Sequence, residues 1–419
     1  MRADRRLRQV RKLTLSAMKR LVVLAGVIAI GWVSLAVAQQ HGPNGQTLET
    51  KKTVGDRLRA SLVEPFVGVR TSAGITEGLF PIRVTGISTE PIRKAAAAFI
   101  ASLTPDQARR TLFAIDDSEW RTWVNVDNGI YVRQGTSLKD MTAPQRQLAR
   151  TLLRECLSAR GLAMSDAIMR TDQSLREINH DAFSYDEGWY FFTMMGVPSA
   201  TEPWGWQIDG HHLVINYFVL GDQVVMTSTF MGAEPARAMS GKYQGNDVLQ
   251  QEQDLGLALM RSLDPDVRVA ALLGADKRDN SIKAEAFQDN LVLDFAGAKV
   301  SSFSPEQKSR LVELIGLYVG NMRDAHAKVR MTEVVAHLDD TRFAWIGSTS
   351  DDGVFYYRVH SPVILIEFDH QRPVGTTALH PADRPTRDHI HTIVRTPNGN
   401  DYRKDLLRQH FLAEHGGKY

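Results

Sequence analysis

Near the C-terminus, Asp388-His389-Ile390-His391-Thr392-Ile393-Val394-Arg395 alternates like a strand, so His389 and His391 share one face. Their backbones then stand two residues, about 6.6–6.8 Å, apart, and both rings can lean onto one ion at about 2.0–2.1 Å. A divalent site of this kind is completed by a third histidine or a carboxylate, with a position left for water. Two groups are natural completions. His212 lies in Gly210-His211-His212-Leu213-Val214-Ile215-Asn216-Tyr217, which reads as a strand with His212, Val214 and Asn216 on one face. Glu367 follows the apolar run Val363 to Ile366, where a carboxylate is not buried without a partner or else emerges into water. The resulting expectation is a metal site, zinc first, with His212, His389 and His391 as ligands and Glu367 as fourth ligand or general base.

The same residues admit a metal-free site. Arg395, on the face of the two histidines, suits an anionic substrate or a pair with Glu367 or Asp369. Glu367, Asp369, Arg358 and Arg395, with histidines as acid and base, would make a hydrolase or lyase. A third reading is a binding module in which Trp204, Trp206 and Tyr357 stack on a ligand. Trp206, Asn216 and Tyr357 are the candidate substrate contacts. Cys156, spaced with Leu148, Leu152 and Ala159 on one apolar helix face, reads as core, and Asp401 as a helix cap. Asn398-Gly399 reads as a tight turn. The nucleophile-elbow, His-Glu-x-x-His, phosphate-loop and dinucleotide signatures are absent.

The elements that must position these groups announce themselves twice. Thr104-Pro-Asp-Gln107, Thr142-Ala-Pro-Gln145 and Ser304-Pro-Glu-Gln307 are capping-box helix starts. The second and third each lead to a strand-rich block, and the blocks align without a gap at an offset of 151 residues. Phe192-Thr-Met-Met-Gly196 matches Phe343-Ala-Trp-Ile-Gly347, Trp206 matches Tyr357, Leu213 to Ile215 match Ile364 to Ile366, and Asn216 sits opposite Glu367. This predicts an α+β fold of internally duplicated halves, each with helices and an antiparallel sheet, forming one pseudo-symmetric domain. The halves run from 89 to 245 and from 246 to 419, after a leader and extended segment over 39–88.

Composition bounds the function. A chain of 419 residues, 43% hydrophobic and 23% charged, has the proportions of a folded protein, and its one cysteine excludes an intramolecular disulfide. Residues 1–38 combine a basic stretch with the apolar run Leu21 to Ala38, closing on Ala36-Val37-Ala38; they read as a secretory signal cleaved after Ala38. Met18-Lys19-Arg20 is itself a competent start for such a signal. Cleavage removes eight basic residues and one acid, taking 50 against 48 to 42 against 47, a net charge of −5. The expectation is a periplasmic or secreted protein with a small-molecule partner. A mildly acidic chain argues against nucleic acid, and removal of the apolar segment leaves nothing to hold a membrane.

Several stretches carry a resemblance: Trp204-Gly-Trp-Gln-Ile-Asp-Gly-His-His-Leu213, Phe230-Met-Gly-Ala-Glu-Pro235, Tyr356-Tyr-Arg-Val-His-Ser-Pro362, Glu367-Phe-Asp-His-Gln371 and His389-Ile-His-Thr-Ile-Val-Arg-Thr-Pro-Asn-Gly-Asn-Asp-Tyr402. They resemble the exported bacterial family catalogued as domain of unknown function 3500, over most of the chain after the signal. The resemblance assigns no catalytic role to any residue. It departs at Arg403, where the family pattern has glycine, and this puts the backbone conformation there in question.

Overall fold

The computed structural model describes residues 48–414, so the proposed signal lies outside the described residues. In chain order the elements are α1 (Leu48–Arg59), α2 (Glu90–Ala101), α3 (Pro105–Thr111), β1 (Leu112–Phe113), β2 (Thr136–Ser137), α4 (Ala143–Cys156), α5 (Ala159–Asn179), β3 (Tyr190–Met195), β4 (Trp204–Gly210), β5 (Leu213–Leu220), β6 (Gln223–Val225) and β7 (Thr229–Ala233). There follow α6 (Gln250–Ser262), α7 (Pro265–Ala271), β8 (Leu272–Gly274), β9 (Ala298–Lys299), α8 (Pro305–Val319), α9 (Asp324–Ala336), β10 (Arg342–Gly347), β11 (Phe355–His360), β12 (Leu365–His370), β13 (Ile390–Arg395) and α10 (Lys404–Glu414). All three capping boxes form: the side chains of Thr104, Thr142 and Ser304 accept from the N–H groups of Gln107, Gln145 and Gln307, and each glutamine side chain answers the cap's own N–H. No described helix is long and apolar enough to cross a membrane.

The fold is mixed α+β around one 13-stranded sheet, with path β1-β3-β4-β5-β7-β13-β12-β11-β10-β8; β2 and β9 flank β3 and β10, and β6 pairs with β5. All pairings are antiparallel except the outermost, β1 with β3 and β8 with β10. The centre of the sheet is the β7–β13 pair, where Gly232 lies opposite His391.

Alternation along the strands gives the sheet two unlike faces. One carries Phe192, Trp206, Ile208, Ile215, Tyr217, Tyr357 and Phe368 into a continuous apolar core beneath the helices, with α2 packed on α4 and α6 on α8. Cys156 belongs to that core and is fully buried. The other face carries Gln207, Asp209, Asn216, Arg358, Glu367, Asp369, His391 and Arg395, and is covered by irregular segments that hydrogen-bond to those polar groups. Helices supply few free backbone donors, whereas loops supply many, so the polar groups gather where the cover is irregular.

Two local expectations change. His211-His212 is the two-residue turn joining β4 to β5, not the start of a strand; the strand begins at Leu213, paired with Gly210. Asp401 does not simply cap the last helix: it is fully buried, accepts from the Thr396 N–H at 2.7 Å and faces Arg395 at 3.4 Å. The Asn398-Gly399 turn is present, both residues having positive φ (+61 and +88). Arg403 has φ +60, a left-handed conformation that glycine adopts freely and other residues seldom do.

Candidate metal centre

His212, His389 and His391 converge on the polar face at the middle of the sheet. Their Nε2 atoms lie 3.0 Å (His389 to His391) and 3.3 Å (each to His212) apart. All three are buried, and they form a group of metal-ligating side chains close enough to hold one ion. Ligands at about 2.0–2.1 Å in a tetrahedron stand about 3.3 Å from one another, which matches this triangle.

Each ligand is aimed by a different device. His391 lies within β13 and His389 immediately before it, so strand alternation points both rings to the same side, 4.7 Å apart. His212 arrives from across the sheet on the β4–β5 turn, held at φ +61, its carbonyl accepting from the Gly232 N–H at 2.8 Å. Its ring passes over β7 at Gly232, where a Cβ would sit 3.1 Å from His212 Cδ2 and 2.8 Å from the Ile390 carbonyl. Glycine there makes room for the third imidazole.

Hydrogen bonds on the far side of the rings fix which nitrogen carries the proton. His389 Nδ1 donates to the Arg372 carbonyl at 2.7 Å, with Glu234 Oε2 at 3.5 Å, and His391 Nδ1 donates to Glu285 Oε1 at 2.6 Å. Two rings held by their Nδ1 atoms in this way both turn Nε2 inward. Lone pairs 3.0 Å apart repel unless an electrophile lies between them. Burial, reinforced by the other histidines, opposes protonation: it holds His389 at about 4 and His212 well below the usual histidine value, although Glu234 pulls His389 the other way. Charge on His389 and His212 is thus disfavoured, while the three Nε2 atoms lie close enough to hold one ion.

The surrounding carboxylates are organised to support the ligands. Glu234 accepts from the N–H groups of Val374, Gly375 and Thr376 and from Thr376 Oγ1. Burial would raise its carboxyl, but the adjacent His389 and these donors outweigh burial and hold it below the usual range. Asp172 on α5 accepts from His211 Nδ1 at 2.5 Å and from Tyr190 Oη at 2.8 Å, and the His211 ring stacks on His212 at 3.8 Å. Solvent reaches the cluster on the side of His391 and Glu285, whose side chains are 10% and 29% exposed. A cavity of about 670 Å³ lies beyond Pro235 and Asp388, the chain neighbours of Glu234 and His389, but no triad histidine lines it.

The other residues singled out from sequence lie elsewhere. Glu367 is fully buried away from the triad; it accepts from Tyr356 Oη at 2.6 Å, Ala284 N at 2.8 Å and Lys283 N at 3.1 Å. Its hydrogen-bond partners are a tyrosine hydroxyl and two backbone N–H groups, and it is not among the described side chains grouped closely enough to hold an ion. Arg395 is fully buried and spends its guanidinium on Ala284 O, Glu285 O, Asp289, Asp401 and Tyr402 Oη, stacked over Trp123. Arg358 is buried beside Glu367 on the neighbouring strand, its one hydrogen bond a long 3.4 Å to the Asp294 carbonyl. Trp204, Trp206 and Tyr357 are fully buried in the core, the first two on β4. Asn216 is buried between Gln207 Nε2 and the Ser228 carbonyl. All seven are buried at 5% exposure or less, so none presents its side chain to a substrate at the surface.

Glu367 and Arg395 nevertheless serve the site at one remove. Glu367 binds the backbone N–H groups of 283 and 284, Arg395 binds the carbonyls of 284 and 285, and Glu285 then presents its carboxylate to His391. Sequence reasoning missed Glu285, Glu234 and the Asp172–His211 pair. Glu234 and His211 carried a signal, lying in the Phe230–Pro235 and Trp204–Leu213 stretches.

Three buried histidines close enough to hold one ion, with carboxylates at the far sides of two of the rings, thus lie on the polar face of a mixed sheet. The family model described as "Protein of unknown function (DUF3500)" matches residues 85–404, and the chain belongs to that family. No curated protein and no solved structure matches it.

Proposed function

We propose that this protein is an exported metal-dependent hydrolase acting on a small polar substrate, with a divalent ion, zinc first, held by His212, His389 and His391. The observation that carries the reading is the convergence of three Nε2 atoms within 3.0–3.3 Å, two of them bared by far-side hydrogen bonds. A divalent ion so held, with a coordination position left open, supplies Lewis acidity and activates water near neutral pH. The chain's own part is to aim the rings through Glu285, Glu234 and the Arg372 carbonyl, and to admit small molecules only past His391 and Glu285. The metal-free and ligand-stacking alternatives have little left to work with, since Glu367, Arg395, Trp206 and Tyr357 are consumed by packing. Export rests on the basic, apolar and Ala-x-Ala pattern of residues 1–38.

The architecture supports the inferred duplication. The strand order reads alike outward from β7–β13, and Gly135 (φ +89) and Gly297 (φ +88) would each drive a Cβ to 2.2 Å from the carbonyls of Phe192 and Phe343, which are 151 residues apart. On this reading the metal centre straddles the pseudo-axis, with one ligand from the first half and two from the second.

The test is metal analysis of the chain from Gln39, purified without chelator, beside the His389→Ala, His391→Ala variant. One equivalent of metal in the parent, lost in the variant, is expected. Equal metal content in both, or none in the parent after incubation with zinc, would end the reading.

A further inference from the structure

Remote from the triad, a small cavity lies between the extended segment around Arg83, β6, α9 and the turn into α10. Its volume, swept by the centre of a water-sized sphere, is about 20 Å³, which suits a single monatomic ion or one water. Around it stand Arg83, His326, Arg330, Glu333, Asn400 and Arg403.

The charges in this group do not balance. Glu333 is shared between Arg83 and Arg330, and Arg330 also donates to Val363 O at 2.6 Å and Thr396 Oγ1 at 3.2 Å. Among the described residues, no carboxylate is paired with Arg403. Only 2% of Arg403 is exposed, and its Nε and Nη2 have no partner; both ring nitrogens of His326 are likewise buried and unpartnered. Buried N–H groups of this kind are nearly always satisfied, and a buried cation without a counter-charge is the costliest case. Burial, with Arg330 and Arg83 adding to it against Glu333, holds Arg403 down at about 9, and burial keeps His326 neutral at about 4, leaving it one N–H to donate. The chain also accepts positive φ at both Tyr402 and Arg403 to bring this guanidinium inside.

We propose that this cavity binds one monatomic anion of the chloride class, held by Arg403 Nε and Nη2 with a ring N–H of His326. The ion supplies the missing counter-charge and ties the segment around Arg83, α9 and the C-terminal turn together. Arg83, with 39% of its side chain exposed, marks the route in.

Two measurements on the whole chain from Gln39 decide it. The first is the thermal midpoint in sodium chloride or bromide against sodium gluconate at equal ionic strength, for the parent and for Arg403→Gly, a change the left-handed φ favours. Halide is expected to raise the parent Tm by about 2–4 °C, saturably, and to leave Arg403→Gly unmoved. The second is anomalous diffraction from crystals of the parent grown in bromide, expected to place a peak within about 3.5 Å of the Arg403 guanidinium. A parent Tm indifferent to halide, a halide shift retained in Arg403→Gly, or a cavity holding only water would each overturn the proposal.

Discussion

Two clusters of buried polar side chains sit on the same face of the sheet, and they are built to opposite ends. Around Arg395, the guanidinium meets carbonyls of 284 and 285, carboxylates of Asp289 and Asp401, and the Tyr402 hydroxyl, which itself donates to Asp289. Around the triad, donors are satisfied on the outside of two rings, and three Nε2 atoms are turned on one another. The first cluster is closed and has nothing left to bind; the second brings three ring nitrogens close enough to hold one ion. A buried network that satisfies itself reads as structure, and one whose ring nitrogens converge on one another reads as a candidate site.

That comparison can be broken in graded ways. Arg395→Met should do the most damage to folding, about 3–5 kcal/mol by denaturant unfolding, because it leaves buried Asp401 without its cation and Asp289 with Arg121 alone. Glu367→Gln should cost about 1–3 kcal/mol by the same measurement, since one amide cannot accept all three donors, while metal stoichiometry stays at one. Glu285→Gln should barely affect unfolding but weaken metal affinity about 10–100-fold in competition titrations, because the His391 ring loses its charged anchor.

A pH effect follows from His389 and His212. The fold holds His389 at about 4 and His212 well below the ordinary histidine value near 6.5, so it favours the neutral rings. Their contribution to stability is therefore whole above about pH 6.5 and is lost as pH falls toward 4, where the unfolded chain takes up protons that the folded one refuses. The metal-free parent should lose Tm over that window, and the slope should flatten in His389→Ala, His391→Ala. An unchanged slope would mean that the rings are not held neutral.

Much of this was legible beforehand where the relevant physics is local. The capping boxes at Thr104, Thr142 and Ser304 need only four residues each, and His-x-His needs only strand alternation. His212 was found for the wrong reason: its place comes from a tight turn and from the space above Gly232, not from a strand face. Glu367 and Arg395 were correctly read as polar groups requiring partners, but the partners lie in the 281–289 segment, whose fold over the sheet leaves no periodic trace. Glu285 was missed for the same reason, since it reaches His391 from that irregular cover, while Glu234 follows β7 directly and is held by the backbone of 374–376. Trp206 and Tyr357 show the converse, aromatic residues whose spacing fits core and ligand stacking equally until the helices above them are seen.

The most direct measurement of the central claim is anomalous diffraction at and below the zinc absorption edge from crystals of the zinc-loaded chain. The expected result is one edge-dependent peak about 2.0–2.2 Å from Nε2 of His212, His389 and His391, with Glu367 outside the coordination sphere. Zinc bound elsewhere, or three empty imidazoles in crystals soaked with zinc, would contradict it.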